Sequence, residues 1–173
     1  KYKNGYLLLA TEAQGGQEFY PFDGKNELRR ISDINTSTFA AHWISNPQEV
    51  KYTNKAGTVL SGYVLPPANY EPGKKYPAIL NIHGGPRCAY GTGFFHEMQY
   101  WANKGYAVIF ANPRGSSGNG SGHALLKGDF GGRDYDDLMS FVDATLDQID
   151  FIDSSRLGVA GGSYGGVMTN WII

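Results

Sequence analysis

Residues 156–173 read RLGVAGGSYGGVMTNWII: an apolar strand, a turn crowded with glycine, and the start of a helix. The pattern G-x-S-x-G falls on Gly161, Ser163 and Gly165, between the strand Arg156–Ala160 and the helical stretch. A serine presented this way needs a tight strand-to-helix turn that holds its backbone in a strained conformation, with the hydroxyl exposed above the sheet. Glycines two before and two after leave room for the neighbouring strand and helix. Ser163 is therefore the candidate nucleophile. The motif alone is weak in a chain with 24 glycines, and its force comes from the strand and helix on either side.

The text upstream supplies the sheet that such a turn requires. From Pro47 onward, EVKYTN and TVLSGYVLPP suggest a β-hairpin around Asn54–Gly57, stopped by Pro66-Pro67. A strand at Ala78–Ile82, a helix over 94–105, a strand at Tyr106–Ala111, a Gly/Ser loop and a helix over 133–148 then lead to Arg156–Ala160. Near-continuous apolar strands alternating with helices indicate a parallel sheet covered on both faces. In the 133–148 helix, Leu138, Phe141, Val142, Thr145 and Leu146 share one face. Asp134, Asp136 and Asp137 stand in the first turn, where the helix dipole favours carboxylates, and no ligand-spaced histidine makes them a metal site.

A hydroxyl alone is a poor nucleophile, and the tetrahedral intermediate of acyl transfer needs donors for its negative charge. The backbone N–H of Tyr164, next after the serine, is one candidate. NIHGGP at 81–86 offers the second, because Gly84 and Gly85 let the backbone approach unobstructed, and the Gly85 N–H is the preferred donor.

Residues 5–31 differ in character. Strand-like runs at Tyr6–Thr11, Glu18–Phe22 and Leu28–Ile31, separated by turn signals at Gly15-Gly16 and Asp23-Gly24, predict an antiparallel meander. Its turn spacing suits one blade of a larger propeller. The polar stretch 32–46 reads as a linker, which divides the chain into 1–46 and 47–173.

Composition excludes several classes. The 173 residues are 41% hydrophobic with a formal net charge of −1, so no basic stripe supports nucleic-acid binding. No apolar run approaches the roughly 18 residues of a membrane span. Cys88 is the only cysteine, which precludes an internal disulfide and fits a reducing, cytoplasmic setting. GSSGNGSG after the strand YAVIFA fails as a dinucleotide motif, because His123 and Leu125 stand where glycine is required.

The segments LNIHGGP, HEMQYWANKGYAVIFANPRGSSGNG, KGDFGGRDYDDLMSFVD and DSSRLGVAGGSYGGVMTNWI, in that order, closely resemble the catalytic domain of the prolyl oligopeptidase family of serine peptidases, in its acylaminoacyl-peptidase and dipeptidyl-peptidase-like branch. The resemblance runs from about residue 47 to the end. It implies an α/β-hydrolase fold, here the N-terminal half of its sheet, preceded by part of a β-propeller blade that belongs to a domain restricting access to peptides. It also implies peptide substrates and an acyl-enzyme on Ser163, with Tyr164 and the His83-Gly84-Gly85 segment in the oxyanion region. Asn119 and Val167 depart from the family, which often has aromatics there, and put detailed specificity in doubt.

In α/β-hydrolases the triad runs Ser, then Asp or Glu, then His. After Ser163 there is only YGGVMTNWII, without acid or histidine, so this chain contains no triad Asp or His. His83 is expected in the oxyanion loop, His42 in the linker, His96 on a helix and His123 in the Gly/Ser loop, none of them as general base. The expectation is a piece of a longer enzyme, inactive by itself and poorly stable, with Arg156–Ala160 left as an open sheet edge. No metal or other cofactor is implied, because acyl transfer by this route uses side chains and backbone donors. A carboxylesterase using the same elbow, and a non-catalytic propeller-and-hydrolase scaffold, are the alternatives.

Overall fold

The computed structural model describes residues 5–13, 15–25 and 27–173. At its centre is a five-stranded sheet built from β3 (Gln48–Thr53), β4 (Val59–Leu65), β5 (Tyr76–Ile82), β6 (Ala107–Ala111) and β7 (Ile152–Gly161), in the order β3-β4-β6-β5-β7. The predicted hairpin is β3–β4, antiparallel; β4 pairs antiparallel with β6, and the β6-β5-β7 part is parallel. The sheet is thus mixed rather than wholly parallel. AVIFA of β6 is buried along its full length, as a central strand without an alternating pattern must be. β7 lies at the edge, and its middle residues are exposed, Leu157 among them.

The helices α2 (His96–Asn103) and α4 (Arg133–Gln148) follow β5 and β6 respectively. Met98 of α2 packs with Leu65, Val108 and Phe110, while Leu138 and Phe141 of α4 join Val50, Tyr52, Val64 and Ile109 in a separate core. The predicted face of α4 is the one buried. Phe141 enters so closely that a Cβ on Gly62 would stand 2.2 Å from its ring. Burying such a side chain contributes about 1.5–3 kcal/mol.

From β5 the chain passes to β6 on one side and then to β7 on the other, so the strand order reverses at β5. Ligand crevices of open α/β sheets form at such a switch point, beyond the carboxyl ends of the strands. Here the register pairs Ile82 with Gly161, which places HGGP after β5 and GGSYGG after β7 side by side.

The amino-terminal segment forms a two-stranded antiparallel sheet, β1 (Tyr6–Glu12) and β2 (Gly16–Phe22). The third predicted strand, Leu28–Ile31, is not formed: its backbone is irregular and Ile31 N–H alone reaches β2, at Phe19 O. The predicted linker is likewise structured. It contains α1 (Thr36–Ala40), and the fully buried Glu18 carboxylate accepts from Ser32 Oγ and from the backbone N–H groups of Ile34 and Asn35. Phe39 of α1 meets Phe94 edge-on at 4.7 Å, and Phe94 N–H donates to Glu12 O, so this segment packs against the approach to α2. No helix among the described residues is long and apolar enough to cross a membrane.

Candidate active site at the elbow

Ser163 joins β7 to α5 (Tyr164–Ile172) with φ 58° and ψ −120°, and no other described non-glycine residue has positive φ. A backbone held in such a sparsely populated region costs about 1–3 kcal/mol. The residue is exposed, and no hydrogen-bond partner holds its hydroxyl among the described residues. The helix starts directly on it: Gly165 N–H donates to Gly162 O at 2.9 Å and Val167 N–H to Ser163 O at 3.1 Å. Ser163→Gly, which relieves the positive φ, is expected to stabilise the fold by about 1 kcal/mol net of glycine's added chain entropy. A lower denaturation midpoint for this variant would contradict the strain.

The flanking glycines are required by contact. A Cβ on Gly165 would fall 2.0 Å from Ile82 O and 3.0 Å from His83 O, and one on Gly161 would fall 2.7 Å from Ile82 O. Both obstacles are backbone, which cannot rotate away. Gly165→Ala is expected to lose about 3 kcal/mol of stability, at the upper end of ordinary overpacking; a loss under about 1 kcal/mol in a denaturant titration would show that the elbow does not press on β5.

On the β5 side, Gly84 is the residue packed against the serine: a Cβ there would lie 3.4 Å from Gly162 O and 3.5 Å from Ser163 Cβ. Gly85 follows with φ 124°, in the region that side chains avoid, and is exposed. Tyr164 is buried, 6% exposed, with its N–H at the first turn of α5.

His83 is 2% exposed. Its Nδ1 lies 2.7 Å from Gly84 O, a group that only accepts, so Nδ1 carries the proton and Nε2 accepts from Ser116 Oγ at 2.9 Å. Both ring nitrogens are engaged in holding the loop. Burial lowers its pKa from the ordinary 6.5, partly opposed by the bond to Gly84. Protonation is therefore harder in the folded protein than in the unfolded chain. The resulting stabilisation is complete above pH 6.5 and is lost as the pH falls through the lower folded value. Imidazole nitrogen shifts should show His83 neutral at pH 6.5, and a midpoint above that value would contradict its burial.

His123 lies in a short helix, α3 (Gly120–Ala124), rather than an open loop, and its Nε2–H points to the carbonyls of Asn112 and Pro113. His42 donates from Nδ1 to Thr38 O, and His96 lines a cavity between α1 and α2 with Phe39 and Phe94.

The beginning of α4 has a role the sequence did not reveal. Asp137, one turn in, falls outside the first turn that holds Asp134 and Asp136. Asp134 and Asp137 are fully buried rather than free to meet the helix dipole in solvent. Asp134 accepts from Tyr164 Oη at 2.6 Å, tying the residue after Ser163 to α4. Burial, with the Asp134 carboxylate second, pushes the Tyr164 hydroxyl well above the usual phenol range. Asp137 accepts from Arg114 Nε and a terminal guanidinium nitrogen at 2.9 and 2.8 Å, from Arg114 N–H at 2.8 Å, and from Asn54 Nδ2 at 3.0 Å. Arg114 is in the loop that carries Ser116 to His83. One carboxylate thus secures the elbow and the other secures the support of the facing loop. Asp136 does remain near the surface, paired with Lys55 at 2.6 Å. Among the described residues, no three His, Cys, Asp or Glu side chains converge as a metal site.

Residues 92–173 match the family model described as the prolyl oligopeptidase family. The chain is 43% identical over 169 residues to an uncharacterized peptidase, YuxL, of Bacillus subtilis, which covers 97% of this chain and 26% of that protein. It superposes on the Pyrococcus horikoshii acylaminoacyl peptidase with a TM-score of 0.88 at 34% identity, covering 95% of this chain and 26% of the other. An acylaminoacyl peptidase in complex with Z-Gly-Gly-Phe-chloromethyl ketone gives 0.86 at 33% identity over the same shares. The chain spans about a quarter of the length of these relatives.

Proposed function

The chain belongs to the prolyl oligopeptidase family, and from that membership we propose that the full-length protein is a serine peptidase hydrolysing oligopeptides through an acyl-enzyme on Ser163. The observation that carries the proposal is the exposed serine at φ 58° between β7 and α5, whose hydroxyl has no partner among the described residues. Its Oγ adds to the scissile carbonyl carbon while its proton passes to a general base, and the carbonyl oxygen becomes an oxyanion. The N–H groups of Tyr164 and Gly85 are the proposed donors to that oxygen. Collapse breaks the C–N bond, the amine leaves with the proton returned by the base, and the acyl group remains as an ester on Oγ. Water then repeats the sequence and releases the acid.

The four histidines are not the proposed base: His83 has both ring nitrogens committed, His123 directs Nε2–H to the Asn112 and Pro113 carbonyls, and His42 and His96 line the cavity between α1 and α2. We place the triad acid and histidine outside residues 1–173, following the order Ser, acid, His. The amino-terminal hairpin fits the end of a propeller blade, in keeping with a division at residues 46 and 47. Peptide is the favoured substrate class because a relative with 33% identity binds an acylated tripeptide ketone. A cytoplasmic location completes the reading, as the exposed free thiol of Cys88 suits a reducing compartment.

The experiment compares aminoacyl-arylamides with simple aryl esters as substrates of the full-length protein. Cleavage of the arylamides is expected; activity confined to the esters would assign a carboxylesterase instead.

A further inference from the structure

Beside the elbow lies an open cavity of about 630 Å³ that includes Gly85, Pro86, Arg87, Leu126, Lys127 and Phe130 in its lining. It adjoins the proposed oxyanion region from both directions. Gly85 forms one wall, and Phe130 in another meets the ring of Tyr164 edge-on at 6.0 Å. Pro86 and Leu126 close the floor around Gly115, where a Cβ would stand 3.0 Å from Leu126 and 3.1 Å from Pro86. The lining is apolar apart from two cations. Arg87 and Lys127 are exposed, and neither makes a hydrogen bond or ion pair among the described residues. The nearest carboxylate along the chain, Asp129, is held by Arg133 and does not line the cavity.

On the reading that Ser163 attacks peptides, we propose that this cavity is a substrate subsite for an apolar residue accompanied by a carboxylate, with Arg87 and Lys127 as its specificity-determining residues. Apolar walls take the side chain, and two cations at the same opening, without an ion-pair partner among the described residues, favour a negative charge beside it. The carboxylate has two sources in a peptide, a free C-terminus or an Asp or Glu side chain, and both present the same chemistry to a guanidinium and an ammonium.

The test uses the full-length protein and matched peptides: one ending in an apolar residue as the free acid, the same peptide as the amide, and amidated peptides carrying Asp or Asn at the adjoining position. The free acid over the amide, or Asp over Asn, is expected to show about a tenfold advantage in kcat/KM, and whichever pair shows it identifies the source. The Arg87→Glu/Lys127→Glu variant is expected to erase or invert the preference. The wild-type preference is also expected to shrink between about 0.05 and 0.5 M salt, as attraction between exposed charges does, and this arm needs no variant to fold. Equal rates within both pairs, or a preference untouched by salt or by charge reversal, would overturn the subsite. Failure to cleave any peptide, the amides included, would instead overturn the peptidase reading on which it rests.

Discussion

Ser163→Ala in the full-length protein is expected to lower kcat by about 10⁴-fold or more, approaching the 10⁶-fold known for nucleophile removal in serine peptidases. The fold is expected to survive. Alanine has no Cγ or Oγ to place, its Cβ occupies the space of the serine's, and the φ of 58° is imposed by β7 and α5 in either case. Loss of turnover therefore reports on the missing Oγ and not on a displaced elbow, which circular dichroism and a matched melting curve would establish. Any remaining rate above solution would come from the donors around the oxyanion position, which the variant leaves in place. A variant retaining most of its activity would mean that another group attacks the substrate.

Arg114→Ala is expected to cost about 3–5 kcal/mol, because it strands a carboxylate that has no access to water. Asp137 is 0% exposed and takes two of the three side-chain bonds of Arg114, the third going to Arg133 O, so its remaining partners would be one backbone N–H and the amide of Asn54. The arginine itself is mostly covered, its side chain 14% exposed, so solvent screening weakens the pair little. Arg114→Lys is expected to recover only part of the loss, since an ammonium cannot reproduce the two-pronged contact. Replacing both members with apolar residues of similar size should recover most of it. A single-variant loss below about 1 kcal/mol in a denaturant titration would show that the pair is not what holds the 112–116 loop.

The elbow was legible because its demands are local. Gly161, Ser163 and Gly165 stand at fixed spacing between strand and helix, and the structure supplies the obstacle that makes both glycines necessary, the carbonyl of Ile82. The placement of Arg156–Ala160 at the edge came from the resemblance to the α/β-hydrolase fold; the alternation of elements alone suggested a wholly parallel sheet, and the strand β7 begins earlier than predicted, at Ile152. What escaped the sequence was long-range. An aspartate at a helix start has a sufficient local explanation in the dipole, and nothing in the spacing tells that Asp134 reaches Tyr164, or that Asp137 reaches Arg114 and Asn54. Leu28–Ile31 failed for the opposite reason. Its apolar ends suggested a strand, but a strand needs a neighbour with free backbone groups, and only Ile31 finds one in Phe19. Glu18 opens the predicted strand Glu18–Phe22, and no local signal gives its side chain a further role. Its carboxylate is instead the acceptor around which residues 32–35 fold.

The proposed acylation of Ser163 is tested most directly by mass mapping of the full-length protein after reaction with a fluorophosphonate. The phosphonyl group is predicted on the peptide containing Gly161–Gly165, at Ser163, and its attachment should be slowed by competing peptide substrate. An unlabelled protein, or an adduct on any other residue, would contradict it.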